Sequence, residues 1–337
     1  QMLNKKIMII GGSGSLGMAL IKRLGSENDL SILSRDESKH WALKNKFKGL
    51  NLDLRVSDIR DKDRMGKAIS RINPNIIIIA AALKHVDVCE LSPEESISTN
   101  LQGVSNVVSI IEENYSTLTD LETVLMVSTD KACSPINVYG MCKSISERIV
   151  LEKSRHMRRV KFVATRYGNV LETRGSIVPL FMHQAKNNEF ITVTREDMTR
   201  FIMTLEDSVD LIIDCIKNAN TGETYIPKLK AMKIIDLAKI FAQKYDKKIK
   251  ICGIRSGEKI HEDLINETES LRTINRGDIF VIKPIYEAKV YNDEVFVYNS
   301  SNTLSEGELR SYLNSINLFT KDPDDFAQTV KLDDMRS

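Results

Sequence analysis

The stretch "STDKACSPINVYGMCK", residues 128–143, gathers side chains able to hold or pass a proton: Thr129, Asp130, Lys131, Tyr139 and Lys143. Tyr139 and Lys143 stand four apart, which in a helix puts them on one face. A tyrosine phenol has an ordinary pKa of about 10, too high for a base near neutrality. A lysine ammonium beside it stabilises the phenolate and lowers that value. The pair suits the removal of a proton from an alcohol, with the Thr129 hydroxyl bonding the same oxygen. Asp130 and Lys131 follow the apolar run "TVLMVS" and add an acid and a base.

A glycine cluster lies far upstream. "GGSGSLG" follows the apolar run "KKIMII" and places Gly11, Gly14 and Gly17 three apart, with Ser13, Ser15 and Leu16 among them. Glycines between a first strand and a first helix let the backbone turn tightly and approach a pyrophosphate. The helix N-terminus then supplies N–H donors and positive potential. The expectation is a dinucleotide cofactor whose nicotinamide takes the hydride while Tyr139 takes the proton. The second strand ends "ILSRDE". Ser34 and Arg35 favour the extra phosphate of NADP, and Asp36 keeps NAD as the alternative. Asp58 is placed to reach the adenine, with Ile59, Ala80 and Ala82 along the same surface and Tyr139 and Lys143 at the nicotinamide.

Strands and helices alternate through the first half. "KKIMII", "LSILS", "LNLDLRV", "NIIIIAAA", "TVLMVST" and "VKFVATR" read as buried strands. "SLGMALIKRLG", "DKDRMGKAISRI" and "SPEESISTNLQGVSNVVSIIEEN" read as helices between them, the last opening on a Ser-Pro cap. This is the pattern of an α/β, Rossmann-type doubly wound parallel sheet. The assignment is a nucleotide-binding domain over 3–168, with a return segment near 198–226 that includes the helix "LEDSVDLIIDCIKNA". A smaller α+β substrate-binding region covers 169–197 and 227–320, with "AMKIIDLAKIFAQKY" as a helix. Residues 321–337 read as a mobile tail.

The 337 residues are 42% hydrophobic and 28% charged, with a net charge of +2. That balance gives no electrostatic case for a nucleic-acid or membrane partner. The apolar runs fall well short of the roughly 20 residues a membrane helix needs. No stretch has the order of a signal peptide, and the five scattered cysteines form no disulfide framework, which points to a cytoplasmic protein. Cysteine and histidine spacing offers no metal site.

The glycine triplet with Tyr139-x-x-x-Lys143 resembles the extended short-chain dehydrogenase/reductases that act on nucleotide sugars. "AALKHVDVCELSPEESISTN", "STDKACSPINVYGMCKSISERI", "TRYGNV", "RGSIVPLF", "MTRF" and "GIRSGEKIHE" resemble the inverting UDP-N-acetylglucosamine 4,6-dehydratases, in order, across most of residues 4–310. The resemblance implies tightly bound NADP, regenerated each turnover, and a homo-oligomer, dimer or hexamer. It implies that Asp130 protonates the C6 hydroxyl and that neutral Lys131 takes the C5 proton; to act so, the lysine needs a buried, cation-rich setting that lowers its pKa. Relatives that retain C5 usually carry Asp-Glu there. It places Asn169, Arg200 and Arg255 along the UDP, Glu258 on the ribose and Lys84 near both ligands, with Arg174 a weaker candidate and His85 structural. A UDP-sugar 4-epimerase and a non-catalytic NADP-binding protein are the competing readings.

Overall fold

The computed structural model describes residues 2–11, 14–173 and 176–320; Ser13, Arg174 and the expected tail lie outside them. Six strands run parallel: β1 (Lys6–Ile10), β2 (Asp29–Ser34), β3 (Leu52–Val56), β4 (Ile76–Ile79), β5 (Thr123–Thr129) and β6 (Lys161–Tyr167). Their order across the sheet is β3-β2-β1-β4-β5-β6. The order reverses direction between β1 and β4, where ligands bind in open α/β sheets, beyond the carboxyl ends of the strands.

The sequence explains why both faces are covered. β4 is four buried isoleucines, β-branched residues suited to a strand with no solvent face. In β1, Ile7 and Ile9 join one core with Leu20, Ile32 and Ile212, while Met8 and Ile10 join the opposite core with Ile77, Val107 and Val124. Helices α1 (Ser15–Leu24), α2 (Glu37–Lys46) and α3 (Lys62–Ile72) connect the first four strands.

After β4 the chain forms α4 (Val86–Leu91), α5 (Pro93–Ser96), a π-helical turn (Ile97–Gln102) and α6 (Gly103–Glu113). The helix expected over 92–114 runs from Pro93 to Glu113 with the π-helical turn inside it. Asn100 lies in that turn: its side chain accepts from the Leu83 amide (2.9 Å) and donates to the Leu83 carbonyl (3.1 Å). Ser146 donates to the Asn100 carbonyl that the widened turn releases. Ser92 makes no side-chain cap.

Beyond α7 (Val138–Glu152) and β6 come α8 (Ile177–Asn187), β7 (Phe190–Val193), β8 (Thr199–Ile202), α9 (Leu205–Asn218), β9 (Thr224–Pro227), β10 (Lys230–Lys233), α10 (Ile234–Tyr245), β11 (Lys248–Ile251) and β12 (Asp263–Ile265). α11 (Glu267–Ser270), β13 (Thr273–Arg276), β14 (Ile279–Ile282), β15 (Tyr298–Asn299) and α12 (Glu306–Ser315) complete the described elements. α9 returns to the main sheet, with Leu211, Ile212 and Cys215 in its core. The helix expected from residue 231 starts at Ile234, because Lys230–Lys233 pair antiparallel with β8. β9, β14 and β13 extend the main sheet beyond β6, so residues 273–282 belong to it rather than to the smaller region. The smaller region has its own core of Phe181, Leu237, Phe241, Leu309 and Leu313. Among the described residues no helix is long and apolar enough to cross a membrane, and no His/Cys/Asp/Glu group has a metal-binding arrangement.

Candidate active site

The glycine turn is built for close approach. Gly11 has φ +83°, and a Cβ there would lie 2.5 Å from Ala81 Cα. Only glycine lets the end of β1 cross the chain leaving β4. Gly14 is the N-cap of α1 and offers no side chain to its first N–H groups; Ser15 and Leu16 begin the helix and Gly17 is buried in it. The residues at this turn fit a pyrophosphate.

At the end of β2, Ser34 is buried with Oγ 2.9 Å from His40 Nε2. Asp36 caps α2, accepting from the Ser38 and Lys39 amides. Its carboxylate is committed to the helix, while Arg35 beside it is exposed. Asp58 is paired with Arg60 at 2.7 Å, which holds its carboxyl below the ordinary value, and Ile59 is buried. Ala80 and Ala82 are half-buried and Lys84 is exposed. Lys39, in the first turn of α2, lies within electrostatic range of Lys84. Sequence reasoning passed over it because a lysine among charged neighbours carries no signal.

The chemistry residues meet where β5 ends. Asp130–Ala132 form a 3-10 turn whose N-cap is Thr129; its Oγ1 accepts from the Lys131 amide at 3.2 Å. Asn137 caps α7 by accepting from the Gly140 amide at 2.7 Å. A Cβ on Gly140 would lie 2.2 Å from the Lys131 carbonyl oxygen. The missing side chain lets α7 rest on the turn and brings Tyr139 to Thr129, Asp130 and Lys131. Lys131 Nζ lies 3.4 Å from Asp130 Oδ1, 3.5 Å from Asn169 Oδ1 and 3.7 Å from Glu262 Oε1.

Each of these groups is perturbed. Burial pushes the Asp130 carboxyl up to about 6, and Glu262 adds to the rise; Lys131 and Arg200 oppose it. Burial pushes the Tyr139 phenol up to about 12, with the Lys131 charge and the Thr129 hydroxyl pulling the other way. Burial lowers the Lys143 ammonium to about 8, which Glu147 resists and Lys84 reinforces. Lys143 Nζ donates to the Val127 carbonyl at 3.1 Å. For Lys131, burial favours the neutral amine, but Asp130 and Glu262 outweigh it and hold the ammonium charged. The cation-rich setting expected for Lys131 is therefore corrected: two carboxylates face it.

Arg200 is buried and turned inward. Its guanidinium donates to the carbonyls of Thr199 (2.6 Å), Ile260 (3.1 Å) and Lys259 (2.9 Å), and its Nε lies 3.8 Å from Glu262. These contacts make it a clamp on the 259–262 segment. Arg255 and Glu258 share a tight turn, with the Glu258 amide on the Arg255 carbonyl at 3.3 Å. Asn137 latches this loop through the Gly257 carbonyl (2.8 Å), and Lys259 reaches the Cys133 carbonyl (3.0 Å).

Two features escaped sequence reasoning. Glu262 closes the list of groups around Lys131. Arg166 binds Glu147 and Glu269 through four hydrogen bonds of 2.7 to 3.1 Å, directly behind the site. The signal for Glu147 was its place four residues after Lys143 on one helical face; Glu269 and Arg166 gave none. A separate cavity of about 240 Å³, with Arg148, Leu151, Arg272 and Tyr286 in its wall, opens on the far side of that network.

The polysaccharide biosynthesis protein family matches residues 7–284. This chain belongs to that family. A UDP-N-acetylglucosamine 4,6-dehydratase (inverting) of Campylobacter jejuni is 37% identical over 290 residues, 84% of each chain. The resemblance drawn from the motifs holds across that span. A UDP-glucose 4-epimerase of Rickettsia rickettsii is 36% identical over 290 residues, 83% of each chain. The X-ray structure of Pen from Bacillus thuringiensis superposes with a TM-score of 0.86 at 32% identity, covering 94% of this chain and 98% of that one. Family membership establishes the Rossmann-like architecture, and identity alone does not choose between the two named activities.

Proposed function

We propose that this protein is an NADP-dependent lyase that dehydrates UDP-N-acetylglucosamine with inversion at C5, giving UDP-2-acetamido-2,6-dideoxy-beta-L-arabino-hex-4-ulose. One observation carries the reading. Beside Tyr139 lies a second acid and base, Asp130 and Lys131, with the carboxyl fully buried and pushed up to about 6. A 4-epimerase exchanges a hydride and a proton at C4 and has no use for that pair. A dehydratase must also collect the C5 proton and protonate a departing hydroxide.

The glycine turn fits the cofactor pyrophosphate, and exposed Arg35 next to the committed Asp36 favours the phosphate of NADP over the ribose hydroxyls of NAD. When bound, the oxidised nicotinamide supplies a hydride acceptor at C4, a hydride donor for C6 after reduction, and a positive charge near Tyr139. Tyr139 takes the O4 proton, with Thr129 bonding the same oxygen and Lys143 nearby. Asp130 gives its proton to the C6 hydroxyl, and Lys131 removes the C5 proton that the C4 ketone has made acidic. The latched loop offers Arg255 and Glu258 to the nucleotide, and Asn169 and Lys84, outside that loop, complete the substrate site.

Proton NMR of the protein with UDP-N-acetylglucosamine in deuterated water tests this. The expected result is a new 6-methyl signal, deuterium at C5 and L-arabino couplings. A methyl signal with C5 retained overturns the stereochemistry. UDP-N-acetylgalactosamine without a methyl signal overturns dehydration in favour of 4-epimerisation. In the same assay Lys131→Ala should oxidise C4 and lose elimination; normal dehydration by that variant would remove Lys131 as the base.

A further inference from the structure

The proposed base is held as an ammonium by two carboxylates, so its proton needs somewhere to go. The charged and titratable groups that face Lys131 are Asp130 on the same turn, Glu262 before β12, Arg200 on β8 and Tyr139 on α7. Asp130 must carry a proton by the time it releases the C6 hydroxyl, so it cannot also store the one from Lys131. Glu262 has 3% of its side chain exposed. Its Oε1 faces both Lys131 at 3.7 Å and Arg200 at 3.8 Å, and its Oε2 has no hydrogen-bond partner among the described residues. A buried carboxylate oxygen left unpaired is destabilising, and such groups concentrate where they are used.

The surroundings hold Glu262 firmly. Its amide donates to Ser300 Oγ at 2.9 Å, and the Ser300 amide returns a bond to the Glu262 carbonyl at 2.9 Å. Ser300 Oγ is 2.7 Å from Thr199 Oγ1, and Arg200 grips the nearby Lys259 and Ile260 carbonyls. This is a carboxylate fixed from its backbone outward and aimed at the reacting lysine.

We propose that Glu262 is a positioning residue that accepts the ammonium proton of Lys131 and so frees the amine for the C5 proton. This rests on the dehydratase reading. An N–H bond at Lys131 breaks and an O–H bond forms at Glu262, converting a buried ion pair into a neutral pair. The amine then bonds the C5 proton, the C5–H electrons pass into the enol system of the C4 ketone, and the C6 hydroxyl leaves as water with the proton of Asp130. C5 is then reprotonated by solvent from the face opposite Lys131, as inversion requires, and Glu262 gives its stored proton back to solvent, leaving Lys131 an ammonium and Glu262 a carboxylate. The proton taken from O4 replaces the one Asp130 gave up, so each turnover leaves the protein unchanged.

The test uses Glu262→Gln and Glu262→Asp in the full chain with its cofactor bound. It follows C5 deuterium incorporation by NMR, C4 oxidation by reduced-cofactor absorbance in a single turnover, KM and the pH profile. Glu262→Gln should slow C5 exchange by about a hundredfold to ten-thousandfold, the range for one general acid–base group, with C4 oxidation and KM held. Its residual exchange should climb with pH as solvent removes the ammonium proton, and Glu262→Asp should restore a large part of the rate. Exchange at the wild-type rate in Glu262→Gln overturns the proposal. So does a loss of C4 oxidation in step with exchange, or an Asp variant no better than Gln, since either describes a structural role. If the wild-type protein forms no 6-methyl product, the dehydratase reading falls; if it does, the Gln variant alone judges Glu262.

Discussion

Asp130→Asn should make the protein more stable and much slower as a catalyst, and the gain in stability should depend on pH. Asp130 is 0% exposed, and burial moves its carboxyl from an ordinary 3.8 to about 6 against the pull of Lys131. In the unfolded chain the group ionises near its ordinary value. Between about pH 4 and about pH 6 the unfolded chain has released the proton and the folded protein still holds it. The folded state then binds more protons, so stability falls as pH rises through that window. Below the window the contribution is intact, and above it the loss is complete. At about 1.4 kcal/mol per pH unit the gap amounts to about 3 kcal/mol. Asparagine keeps the shape and cannot ionise. The variant and the wild type should therefore match near about pH 4, and the variant should be more stable by about 3 kcal/mol from about pH 7 upward. Urea titrations of both proteins across that range give the difference directly. Dehydration should fall about a hundredfold to ten-thousandfold, because the C6 hydroxyl would leave without a proton. A variant less stable than wild type at neutral pH, or a difference that ignores pH, would refute the assignment of a buried, proton-holding carboxyl.

Other substitutions probe the supports of the site. Arg166→Met leaves Glu147 and Glu269 buried without their shared cation, whose side chain is 4% exposed, and should cost about 3–5 kcal/mol by urea titration; a loss under about 1 kcal/mol would mean the network is not structural. Gly11→Ala puts a Cβ against Ala81 at φ +83° and should release the dinucleotide during purification, read by nucleotide absorbance after denaturation; full retention would show that the turn tolerates a side chain. Arg35→Ala should weaken NADP by about tenfold to a hundredfold, the worth of one charged hydrogen bond, and leave NAD binding unchanged by calorimetry. Equal weakening of both would place Arg35 away from the extra phosphate.

The parts of this protein that follow local rules were legible in its sequence. β4 reads as a buried strand because four isoleucines can only be satisfied between two helical layers. The glycine turn and the Tyr139/Lys143 pair are legible because their spacing is set by one turn and one helix face. Even the return of 205–218 to the sheet followed from helical periodicity. The π turn at 97–102 was not legible; within it Asn100 bonds Leu83, a partner seventeen residues away that local pattern cannot show. Arg200 illustrates the same limit. The resemblance places it on the UDP, and only the folded chain shows its donors occupied by three carbonyls.

The sequence by itself determined the doubly wound sheet, the glycine turn, the adjacent Asp130 and Lys131 after β5 and the family. Those depend on periodicity, on backbone freedom at single residues and on the chemistry of adjacent side chains. Tertiary structure decided the protonation states and the company each group keeps. Asp130 and Lys131 are neighbours in any conformation, but Glu262 lies more than a hundred residues downstream and reaches Lys131 only because Arg200 and Ser300 hold its segment against β8. Charge interactions fall off with distance in space and strengthen with the exclusion of water. Neither quantity exists until the chain has folded, which is why a lysine expected among cations is found between two carboxylates.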